Sequence, residues 1–361
     1  MTKRWVEESQ LIRLNEEQLR PVLETLLTKQ SLFAFDAKTV VNRVIDADRL
    51  GLHAAGVASA PELLESLKRG DADPRGRVIT RSESTGTAAL DGSRALGMVV
   101  ATQGTELAIQ KARETGIGLV TVGNSQPLGH PVVYADLAAR AGFIGCCLTT
   151  SGQGTVAAVG GSDLPECDQF AAICLPAGAD GQCVQCECRT VALGSEELHW
   201  LQSLGLAEVS TESPTLAIFR EVLAEIAPQR TRFSVRGGEA GWVWSLLGGL
   251  MLGPLAGGKT PWHKRHAGRT ANDSEHLLVA IDSGRLADPE RFRREIQSTC
   301  SDLQSVLEKT PWRWLSGLST VNYASPEMQA STVIPLPRSI AADLRARGVK
   351  AKLEVPWPEA D

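Results

Sequence analysis

GIGLVTVGNSQPLGHPVVYADLAARAGFIG, Gly116–Gly145, is the stretch on which the fold turns. Ile117–Val122 is an apolar run rich in β-branched residues, the composition of a strand. It stops at Gly123-Asn124-Ser125, and a loop with Pro127 and Gly129 follows. An amphipathic run from about Pro131 to Ala141 leads to Gly142 and a second apolar run, Phe143–Leu148. Strand, polar turn, helix, strand is the unit from which α/β proteins build sites at strand ends. The turn is where chemistry is expected.

Upstream, Asn15 with Glu17 and Gln18 opens a helix whose apolar face is Leu19, Val22, Leu23, Leu26 and Leu27. Further helices are expected over 37–49 and 61–69, short strands over 78–83 and 87–90, and a helix over 98–115. Downstream, 149–161 is rich in Gly, Ser and Thr and is expected to be loop. Strands are predicted at 170–175 and 183–191, and helices at 195–204 and 213–226. A glycine-rich turn at 235–241 runs into 242–252. The stretch 254–274 reads as a charged surface loop, 277–281 as a strand and 289–308 as an amphipathic helix. A loop over 323–336, a helix over 337–347 and a mobile end complete the chain.

With 361 residues the chain buries a large core and is expected to form two lobes. A net charge of −5 disfavours a general nucleic-acid or anionic-membrane role. No apolar run approaches the ~18 residues of a membrane span, and the charged start MTKRWVEESQ lacks the apolar core of a signal peptide. A cytoplasmic protein is expected, its eight cysteines thiols rather than disulfides. Cys183-Val184-Gln185-Cys186-Glu187-Cys188 is compact for zinc, which usually takes two separated pairs of ligands. Buried small residues in a strand are the favoured reading, and no metal is predicted.

The order of several short motifs resembles the malate/L-lactate dehydrogenase family of the sulfolactate and ureidoglycolate dehydrogenase type, which is unrelated to the Rossmann lactate dehydrogenases. The motifs are Ala47-Asp48, Gly51 and Gly56-Val57-Ala58; Asp91–Gly97; Ala108–Gly118; Val122–Ser125; Gly142–Gly145; Val235–Gly241; His276–Asp282 with Asp288-Pro289; and Ile334-Pro335-Leu336. The resemblance implies an α/β fold of non-Rossmann type, a mixed sheet with flanking helices. It implies one lobe from 1–117 with 299–361, a cofactor lobe from 118–298, and a homodimer. It also implies hydride transfer between NADH or NADPH and the C2 of a small-molecule 2-hydroxy or 2-keto acid, or a cyclic imino acid.

The family's proton-moving and carboxylate-holding residues fall on other residue types here. Its Ser-His-Gly-x-x-Arg falls on Ala54-Ala55-Gly56-Val57-Ala58-Ser59, and its Asn-Ser-x-His on Asn124-Ser125-Gln126-Pro127. The acidic partner of the second histidine falls near Gln185. Gly-Gly-His-Lys-Gly reads Gly237-Gly238-Glu239-Ala240-Gly241. Proline moves no proton, and alanine holds no carboxylate. Replacement acid/base candidates are His53 and His130, two residues before and three after the lost histidines. The bland alternative for each is a loop histidine. Ser125 is carried as a further catalytic candidate. Asn124, Ser151, Gln185, Glu187, Glu239 and Gly241 are the cofactor-binding candidates. A basic run, Lys259 to Arg269, is read as a solvated loop.

Three functions stay open. The first is a reductase for an imine-like substrate, because an iminium accepts hydride without a general acid, a term otherwise worth roughly 10²–10⁴-fold. The second is a non-redox enzyme such as a cyclase, lyase or transferase on the same scaffold. The third is a catalytically silent binding protein.

Overall fold

The computed structural model describes residues 10–151, 156–159, 162–165, 168–177, 182–189, 251–257, 274–309, 322–323 and 332–358. In chain order the elements are β1 (Leu11–Asn15), α1 (Glu16–Lys29), α2 (Ala34–Arg49), α3 (Ala60–Arg69), β2 (Ile79–Glu83), β3 (Thr87–Asp91), α4 (Gly97–Thr115), β4 (Ile117–Ser125) and α5 (Pro131–Arg140). There follow β5 (Ile144–Ser151), β6 (Val156–Val159), β7 (Ser162–Pro165), β8 (Asp168–Ala177), β9 (Gln182–Arg189), β10 (Ser274–Ile281), α6 (Pro289–Lys309), β11 (Asn322–Tyr323), β12 (Val333–Pro337) and α7 (Arg338–Lys350). The helices expected at 195–204 and 213–226, the turn at 235–241 and the basic run lie outside the described residues.

The chain divides into two units. One includes Met1–Gly70 and Glu327–Asp361. Its frame is the antiparallel ribbon β1–β12, with Leu11 opposite Pro337 and Asn15 opposite Val333. The Gln18 side chain accepts the Asn15 amide at 3.0 Å, which starts α1 where the sequence signals it. Leu19, Val22, Leu23, Leu26 and Leu27 of α1 are buried, as are Val40, Val41, Val44 and Ile45 of α2. Two expectations are corrected in the last stretch of chain. Residues 333–337 form β12 rather than loop, because Ile334 and Leu336 bury one face of the ribbon. The end is not mobile as far as residue 358. Trp357 is 2% exposed, its indole N–H donates to the Ala341 carbonyl at 3.2 Å, and Arg345 holds the Val355 carbonyl. A buried tryptophan fixes a tail that polarity alone marks as loose.

The other unit includes Asp71–Val191 and Arg236–Pro326. Its core is an eight-stranded sheet in the order β11-β9-β8-β5-β10-β4-β3-β2. Only β3 and β4 pair in parallel, joined by the crossover helix α4; every other pair is antiparallel, so the sheet is mixed. Because β3 pairs with β4, residues 71–117 fall in this unit, whereas the sequence reading grouped them with the N-terminal helices. Strand β10 slots between β4 and β5 and runs against both. Strands β4 and β5 therefore run in the same direction and end at the same side of the sheet. The expected loop over 149–161 is corrected in part, since β5 runs to Ser151 and β6 spans Val156–Val159. The two helices lie close on the strands that follow them. A Cβ at Gly118 would stand 1.9 Å from the Ala108 carbonyl oxygen, and one at Gly145 would stand 2.0 Å from that of Ala135. No helix among the described residues is long and apolar enough to cross a membrane.

Candidate functional site

Strand β4 ends in a bulge. Val122 faces His276 and Ser125 faces Ser274, so three steps of β4 span two of β10. The extra residue is taken up at Gly123-Asn124, where Asn124 is left-handed with φ 51°. Asparagine tolerates this conformation better than most residues. Its side-chain amide donates to Asp91 at 2.8 Å, and the same Asp91 oxygen accepts the Ser93 amide at 2.7 Å. The other Asp91 oxygen pairs with Arg81. The loop after β3 is strapped to the bulge along the backbone as well. Gly92 N donates to Gly123 O and Arg94 N to Asn124 O, each at 2.8 Å. Ser93 and Arg94 are left-handed too, with φ 50° and 60°. Three strained residues thus stand together at the carboxyl ends of the two parallel strands, the place where α/β sheets receive ligands. Gly97 opens α4 against this turn, where a Cβ would lie 2.0 Å from the Gln126 carbonyl oxygen.

Behind the turn, His276 is fully buried. Its Nε2 lies 3.1 Å from both Ser125 Oγ and the Gln126 carbonyl, and its Nδ1 lies 2.8 Å from Thr149 Oγ1. A carbonyl only accepts, so the proton is assigned to Nε2; Nδ1 then accepts from the Thr149 hydroxyl. Ser125, also fully buried, donates its own hydroxyl proton to the Gln126 carbonyl at 3.2 Å. Next to His276 on β10, Glu275 accepts the Thr150 hydroxyl at 2.8 Å. A Ser-His base would need an unprotonated Nε2 on the serine, and the carbonyl beside it opposes that. This network holds the turn in place. Gln126 is 3% exposed, and its side-chain oxygen has no hydrogen-bond partner.

Of the residues singled out in the sequence, Asn124 and Ser125 are in this turn. His130 is the N-cap of α5, 5% exposed, with Nδ1 accepting the Val132 amide at 3.3 Å; Pro131 at the first helical position suits that start. Ser151 ends β5 at the same side of the sheet as Ser125. Gln185 and Glu187 lie on β9, opposite Cys174 and Ala172 of β8. Glu239 and Gly241 fall outside the described residues, as do the side chains of Ser151, Gln185, Glu187 and Cys183, Cys186 and Cys188.

In the other unit, described by itself, His53 sits in a short 3-10 turn, its side chain 31% exposed. Its Nδ1 lies 2.8 Å from Asp48 Oδ1, and Asp48 Oδ2 accepts the Val57 amide at 2.7 Å. Burial pushes the Asp48 carboxyl above its ordinary range, and His53 and the Val57 amide pull against that rise. A buried carboxylate orienting a partly exposed imidazole is the arrangement that acid/base histidines use.

The sequence reading did not pick out Asp48, Asp91, Gln126 or His276 as site residues. All four stood inside quoted motifs; a local turn gives Asp48 its partners His53 and Val57, whereas strand register brings Asn124 to Asp91 and Ser125 to His276.

The family model for malate/L-lactate dehydrogenase matches residues 14–180. The chain is 26% identical to the malate dehydrogenase of Pyrococcus abyssi, over 98% of this chain and 99% of that one. It is 25% identical to the ureidoglycolate dehydrogenase (NAD(+)) of Escherichia coli, over 82% of this chain and 84% of the relative. Among solved structures, the malate dehydrogenase of Pyrococcus horikoshii superposes with a TM-score of 0.72 at 23% identity. That match covers 98% of this chain and 99% of the other, and it shows that the two share a fold.

Proposed function

From the match of residues 14–180 to the malate/L-lactate dehydrogenase family model, we propose that the chain is a member of that family and an NAD(P)H-dependent reductase of an imine-like small molecule. The observation that carries this reading is the chemistry of the turn. It offers an acceptor, Gln126 Oε1, and no accessible acid. Ser125 and His276 are fully buried and bonded to one another, His130 caps a helix, and residue 127 is proline. A carbonyl receiving hydride needs a proton from the protein as the alkoxide forms. An iminium carries that proton already.

The turn suits the nicotinamide end of such a cofactor, because an orphaned acceptor matches the carboxamide N–H donors. A bound reduced nicotinamide would supply the hydride. Of the chain's own residues, Asn124 and Asp91 hold the bulge open, and His276 keeps Ser125 and the Gln126 backbone in place.

NADPH or NADH is expected to raise the melting temperature, with a gain of about 2.7 kcal/mol at a hundredfold excess over Kd. Turnover of Δ1-piperideine should exceed that of pyruvate by roughly 10²-fold or more in kcat/KM. A melting temperature unmoved by millimolar nucleotide would favour the non-redox enzyme. Pyruvate turned over as fast as the cyclic imine would remove the iminium argument.

A further inference from the structure

Gln126 is the one residue of the turn whose buried polar side-chain atom lacks a partner. Leaving a buried acceptor unbonded costs about 1–3 kcal/mol, and such an atom calls for an explanation. The residue is fixed from two sides. Its carbonyl accepts from His276 Nε2 at 3.1 Å, and Gly97 at the start of α4 leaves no room for even a Cβ beside that carbonyl. The neighbouring polar side chains have partners within the protein: Asn124 donates to Asp91, and Ser125 donates to the Gln126 carbonyl. Gln126 follows directly on the carboxyl end of β4, two residues after the left-handed Asn124.

We infer that Gln126 Oε1 receives an N–H of a bound ligand, and so is a binding residue of the turn proposed above as the ligand site. This rests on the hydride-transfer reading for the identity of the donor. Two donors share the chemistry: the carboxamide of a nicotinamide and the N–H of a protonated cyclic imine. Glutamine at this position lets an acceptor select a group that gives a proton in a hydrogen bond, without taking the proton away.

The test compares the whole protein with Gln126→Met, which keeps length and apolar bulk and removes the acceptor. Ligand-free, the variant should melt at the same temperature or higher, because it no longer buries an unbonded oxygen. Binding is then titrated with NADPH, with its reduced 3-acetylpyridine analogue (a methyl in place of the amide nitrogen), and with piperidinium as the cyclic N–H probe. If the carboxamide is the donor, wild type prefers NADPH over the analogue by about tenfold and the variant loses that preference. If the imine is the donor, the variant loses about tenfold in piperidinium affinity, and the two dinucleotides behave alike in both proteins. Unchanged affinity for NADPH and piperidinium in the variant overturns the assignment. A wild type that binds no dinucleotide defeats the hydride-transfer reading instead, and the piperidinium titration still decides Gln126.

Discussion

Gly56→Ala is expected to destabilise the protein by about 2–4 kcal/mol, because the displaced Asp48 carboxyl loses two buried hydrogen bonds at about 1–3 kcal/mol each. A Cβ at residue 56 would stand 2.3–2.4 Å from Asp48 Cγ and both carboxylate oxygens. The carboxylate cannot stay. If it turns away, it leaves His53 and the Val57 amide at once. Gly70→Ala is the comparison. Gly70 has open space around it and a φ of 76°, so only the left-handed backbone resists, at about 1 kcal/mol. Urea unfolding gives both values. The double variant Gly56→Ala with Asp48→Ala should lose less than the sum of its parts, because removing the carboxylate removes the clash. Equal losses for Gly56→Ala and Gly70→Ala would show that Asp48 is not held as described.

His276→Leu should cost about 4 kcal/mol. Leucine approximates the volume but strands the buried Thr149 hydroxyl and removes the ring's bonds to Ser125 Oγ and the Gln126 carbonyl, which keep only each other. Each of these losses carries a penalty of about 1–3 kcal/mol. Thr149→Val removes one bond and no ring, and should cost about 1 kcal/mol. The loss should be local as well as global, with faster amide exchange from Val122 to Gln126 as the bulge loosens. A loss of 1 kcal/mol or less for His276→Leu, with exchange unchanged, would mean that another contact holds the turn.

Much of the architecture was legible because it depends on local period and on end signals. Leu19 to Leu27 repeat at helical spacing after Asn15, and α1 lies there. The stretch that opens the sequence analysis did become strand, turn, helix and strand, at 117–125, 131–140 and 144–151. The misses depend on pairing rather than on residue type. Val333–Pro337 is ordered by β1 from the far end of the chain, Ser151 pairs with Asp168 of β8, and Val156–Val159 closes on Ser162–Pro165 just beyond it. Trp357 likewise pins a polar tail to α7, together with the Arg345 bonds to that tail.

The sequence alone determined that a strand starts at Ile117 and ends in polar residues, though the structure carries it through 123–125, and that residue 127, a proline, has no proton to give. Those are properties of residue type and short-range order. Only the tertiary structure decided what surrounds that strand end. β10 enters between β4 and β5 from about 150 residues away (Ser125 and His276 are 151 apart) and brings His276 against Ser125. The parallel pairing of β3 with β4 brings Asp91 to Asn124. Hydrogen bonds between strands depend on register, and register is set by which strand lies beside which. For that reason an unpaired acceptor at Gln126 is invisible in the chain and evident in the fold.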